Sequence, residues 1–211
     1  PPILTVIVRP RPHWLRLLFV RRGSVLGRIM PQLLFTAVLA CAVVLAHGTL
    51  FSWKVPLNTS PFSLMGVALA IFLGFRVNAS YDRYWEARKL WGTTLIESRN
   101  LARQALTLPG AGSDTRPFVL GIVGFATCMR NQLRDQPRNA GLTGLLPDEL
   151  IARLKDARTG PALVLLWLAG WLRGERTAGR FEPILAQQME ATLDRLGATL
   201  GGCERIANTP L

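Results

Sequence analysis

The sequence predicts an all-α integral membrane protein: a transmembrane helical hairpin followed by a cytoplasmic helical bundle. Three observations predict it. Residues 29–53 and 55–75 carry no Asp, Glu, Lys or Arg, and only Lys54 separates them. Every other charge-free run is shorter, the longest being the 14 residues of 159–172. The net charge of +12 gathers around the two runs, because no acidic residue precedes Asp82. A bilayer core about 30 Å thick needs roughly 20 apolar helical residues to cross it. A soluble protein with two buried helices is the competing reading.

The 211 residues suffice for one or two domains. Seven Arg and one Lys fall in the first 81 residues, giving +8; the remainder contributes +4. Such a charge invites a nucleic-acid reading, but its position beside apolar runs argues against one, and no nucleic-acid partner is expected. Arg9, Arg11, Arg16, Arg21, Arg22 and Arg28 precede the first run, and Arg76, Arg83, Arg88 and Lys89 follow the second. The positive-inside rule then places both flanks in the cytoplasm and the Lys54 loop outside. The organisation predicted is an N-terminal cytoplasmic segment (1–28), a transmembrane hairpin (29–79) and a cytoplasmic helical domain (80–211).

The elements follow in order. Residues 1–12 are Pro-rich and extended, and His13–Val20 reads as a short interfacial amphipathic helix. Span one runs from Ile29 to about Phe51, with Trp53 as an interfacial anchor. Residues 54–61 form the outer loop, with Ser60 capping the second helix and Pro61 at its first position. From Pro61 to Phe75 the apolar part is only roughly 22 Å long. That is too short to end in lipid with Arg76 next, so the helix is expected to continue as far as Leu108, just before Pro109.

Span two carries two adjacent stripes. Gly66, Ala70 and Gly74 form a small-xxx-small face that lets helices approach closely. Val67, Ile71 and Phe75 recur one residue on. In a ring of subunits these three would form a hydrophobic constriction, a known gating device. They also fit a lipid-facing or helix-packing surface, and periodicity alone favours that. Residues 80–92 mix aromatic and charged side chains at the expected membrane exit, and 82–88 suit an exposed helix with local ion pairing.

Further helices are expected over 115–136, 148–157, 162–172 and 182–206, with a loop bracketed by Pro137 and Pro147. In the last helix Met189, Leu193, Leu196, Leu200 and Cys203 form a heptad seam. Ile184 falls about 140° off it.

Enzyme chemistry is not indicated. The chain has none of the phosphate-loop, dinucleotide, zinc-protease or nucleophile-elbow motifs, and only two histidines, His13 and His47. Cys41, Cys128 and Cys203 stand alone, without metal-ligand spacing or a disulfide context. No cofactor and no metal are expected.

Five blocks resemble the bacterial branch of the bestrophin family: VRPRPHW (8–14), RGSVL (22–26), PFSLMGVALAIFLGFR (61–76), SYDRYWEARKLWG (80–92) and GGCER (201–205). The resemblance covers almost the whole chain in order. It implies a homopentameric ion channel of the bacterial inner membrane, conducting monovalent ions along the five-fold axis. It implies that the second transmembrane helix lines the pore and that Val67, Ile71 and Phe75 form its neck, with Val67 where Ile is usual. A second constriction, at the cytoplasmic exit, falls on Ile184. Family members carry four transmembrane helices, so a further pair is expected beyond Asn208–Leu211. The acidic calcium clasp of animal members also lies beyond that point, and calcium activation is not implied. Anion (chloride) conduction is expected from the family majority. A cation-selective (sodium) channel and a membrane-anchored scaffold without conduction are the alternatives.

Overall fold

The structure, a computed structural model, describes residues 26–45, 49–50, 53–54 and 59–209. The expected interfacial helix over His13–Val20, the extended residues 1–12, His47 and the outer loop at 55–58 lie outside the described residues, as does the Trp53 side chain. The chain divides into two units, Pro1–Gly66 and Val67–Leu211.

In the first unit, helix α1 spans Leu26–Leu45. Its described side chains all face outward, among them Leu34, Phe35, Val38, Val44 and Leu45. An apolar helix with no buried side uses lipid or partner helices to cover it. Span one was expected to reach Phe51; the α-helix instead stops at Leu45. Two short strands, β1 (Thr49–Leu50) and β2 (Trp53–Lys54), then pair antiparallel with Leu50 opposite Trp53. The β-branched Thr49 and the aromatic Trp53 favour an extended backbone.

Helix α2 runs without a break over the 49 residues Thr59–Thr107. Among the described helices it is the one long and apolar enough to cross a membrane. It begins before the expected start, so Ser60 lies inside it and Pro61 is its third residue. Pro61 is still in the first turn, where the missing N–H has no helical acceptor to lose. The expected continuation past Arg76 is present, ending just before Pro109.

The second unit completes α2 and adds α3 (Arg116–Leu133), α4 (Asp148–Asp156), α5 (Gly160–Thr177) and α6 (Pro183–Asn208). Its core joins Leu101 of α2, Phe118, Phe125 and Met129 of α3, Val164 and Leu168 of α5, and Met189 and Leu196 of α6. Helices α3 and α5 meet closely because Gly121 has no side chain. A Cβ there would sit 2.6 Å from Trp167 Cζ3 and 2.8 Å from Leu168 Cδ2. All five seam residues of α6 are buried, so the heptad pattern marks packing against α2, α3 and α5.

Two polar devices hold the connections. The Asn131 amide donates to the carbonyls of Pro137 and Ala140, and its Oδ1 accepts from Arg130. This folds the Pro137–Pro147 segment back onto α3. At the other end, Glu175 accepts from the Ser113 hydroxyl and from both Nε and Nη2 of Arg180. The Gly110 N–H donates to the Arg180 carbonyl at 2.7 Å. The loop after α2 is thus latched to the loop after α5.

Candidate functional site

One turn of α-helix is 3.6 residues, so Val67, Ile71 and Phe75 occupy an arc of about 80° on α2. All three are exposed, at 59%, 54% and 68%. Gly66, Ala70 and Gly74 lie beside them, and a Cβ at Gly66 or Gly74 would touch nothing.

A different face of the same helix is fully engaged. Below the apolar segment, α6 runs antiparallel to α2 and grips it at five levels. The Arg83 guanidinium donates to the carbonyls of Ile206 and Thr209 at the end of α6. Glu86 pairs with Arg205. Leu90 packs over Gly202, where a Cβ would approach it to 2.9 Å. The Thr94 hydroxyl lies 3.3 Å from that of Thr199. Glu97 pairs with Arg195 at 3.0 Å. By helix geometry this gripped face is centred about 100° from the apolar stripe. The grip fixes the rotation of α2 about its own axis and leaves the stripe outward.

The sequence expectation of local ion pairs within 82–88 is corrected here. Glu86 pairs across to α6, where Arg205 stands opposite it, and both side chains stay exposed. This tertiary strap does not show in helical periodicity. The signal was present in GGCER, whose Gly202 and Arg205 both serve it.

Ile184 stands exposed at 66% in the first turn of α6. It is roughly 33 Å along α6 from Ile206, the residue at the Arg83 end. The structure therefore separates Ile184 from the Val67, Ile71 and Phe75 stripe and groups only the latter three. Among the described residues, no three His, Cys, Asp or Glu side chains gather as metal ligands.

The family profile described as Bacterial/Fungal Bestrophin protein matches residues 6–211. The chain belongs to the bestrophin family. It is 43% identical over 209 residues to a voltage-dependent anion channel-forming protein of Ralstonia nicotianae, covering 98% of this chain and 68% of that one. A protein of the same description from Escherichia coli K12 is 40% identical, with 98% and 68% covered. A bacterial bestrophin homologue from Klebsiella pneumoniae, solved by crystallography, superposes with a TM-score of 0.79 at 36% identity. That match covers 87% of this chain and 69% of the other. This bestrophin is accordingly a helical membrane protein of a channel family rather than an enzyme family. The chain spans about two thirds of the length of these relatives.

Proposed function

We propose that this bestrophin is a subunit of a homopentameric channel for passive conduction of monovalent ions, with α2 lining an axial pore. Val67, Ile71 and Phe75 form its hydrophobic neck, and Gly66, Ala70 and Gly74 let neighbouring helices close around it. Ile184 rings the cytoplasmic aperture. The hairpin sits in the bacterial inner membrane, with the N-terminal segment and the helical bundle in the cytoplasm. Anions are the favoured permeants, in keeping with the names of the relatives.

One observation carries this reading: the apolar stripe is exposed while α6 occupies another face of α2. Five copies of such a stripe around an axis give three stacked apolar rings, which can gate by dewetting. The test is flux through the full-length protein in liposomes, with Ile71→Ala and Phe75→Ala compared to wild type. Altered gating in these variants is expected. Wild-type gating in alanine variants at all three neck positions would sink the neck assignment. Ion-tight vesicles with a stoichiometric co-purifying partner would indicate a scaffold.

A further inference from the structure

Below the neck, the line of the apolar stripe continues along α2. Asp82 lies two turns past Phe75, about 20° away around the helix and roughly 10 Å along it. It is three turns past Ile71, again within about 20°. Asp82 is the first acidic residue of the chain. It is exposed and makes no ion pair among the described residues.

Arg88 lies about 120° around the helix from Asp82. Arg83 is turned away and bonded to the end of α6. Glu86 is neutralised by Arg205. Arg76 lies about 120° around the helix from Asp82. Lys89 follows on the same line, but roughly another 10 Å from the neck. Its ammonium lies over the Trp85 ring, 5.8 Å from the centroid. At an ionic strength near 0.15 M the Debye length is about 8 Å. A permeating ion leaving the neck therefore meets the carboxylate before the amine.

We propose that Asp82 is a selectivity-determining residue, forming a ring of carboxylates at the cytoplasmic mouth of the neck that raises local cation occupancy and so limits the channel's preference for anions. The proposal rests on the axial pore proposed above. Apolar rings do not discriminate by sign, so the first charged ring on the line of the stripe sets the cation-to-anion ratio. Rings of Asp or Glu serve cation passage in channels generally.

The experiment is the reversal potential of the full-length protein in a planar bilayer under a NaCl gradient. Asp82→Asn is expected to move it toward the chloride equilibrium potential by a several-fold change in permeability ratio. Asp82→Glu is expected to keep the wild-type value. The Asp82→Asn shift should shrink as total salt is raised, because an exposed charge is screened. An Asp82→Asn channel that conducts with the wild-type reversal potential would overturn the proposal while leaving the pore intact. Should Asp82→Asn not assemble, Asp82→Ser carries the same expectation. Absence of current in the wild type would instead remove the pore itself.

Discussion

The Leu90 side chain lies directly over Gly202, so close that a Cβ on the glycine would stand 2.9 Å from Leu90 Cδ2. This apolar contact lies at the middle of the strap between α2 and α6. Arg83 and Glu86 hold the strap on one side of it, and Thr94 and Glu97 on the other. The orientation of α2 proposed for the pore depends on that grip.

Gly202→Ile would push Leu90 away and pry α6 from α2. Overpacking of this kind costs about 1–3 kcal/mol. Gly201→Ile is the control, since a Cβ at Gly201 meets nothing and both sites bear the same helix-propensity cost. Thermal unfolding in detergent should rank Gly202→Ile clearly below Gly201→Ile. Equal melting of the two would remove the grip from the account.

The latch at Glu175 gives a pH dependence. The hydrogen bond from Arg180 holds the Glu175 carboxyl below the usual carboxylate range; burial opposes this and the Ser113 hydroxyl reinforces it. A folded-state pKa below the unfolded one stabilises the fold at neutral pH. That contribution is lost as pH falls through the lowered value. Glu175→Gln should therefore melt below wild type at pH 7, and the gap should close in acid. Melting curves taken across pH 7 to pH 3 would check this, and a gap that widens in acid would contradict it.

Much of the bundle was legible because its packing follows helical period. The Met189–Cys203 seam is buried, and Ile184, off the seam, is exposed. The unbroken run to Pro109 likewise marked α2 as one long helix. Three features were not legible. The β1–β2 pairing that follows α1 is one that hydropathy cannot register. The Ser113–Glu175–Arg180 latch joins residues 62 apart in sequence. The strap joins residues 98 to 126 apart, and its polar pairs look in sequence like ordinary surface charges. The Val67, Ile71 and Phe75 stripe was visible as a pattern, but period alone could not say whether lipid, a helix or a pore faces it.

The most direct test of the pore assignment is thiol accessibility from water in a channel background carrying Cys41→Ser. Phe75→Cys faces the proposed axis, and Leu73→Cys lies about 160° away around α2. A charged, membrane-impermeant thiol reagent should block current through Phe75→Cys and leave Leu73→Cys conducting. Block of Leu73→Cys with an unaffected Phe75→Cys would contradict the assignment of this face of α2 to the pore.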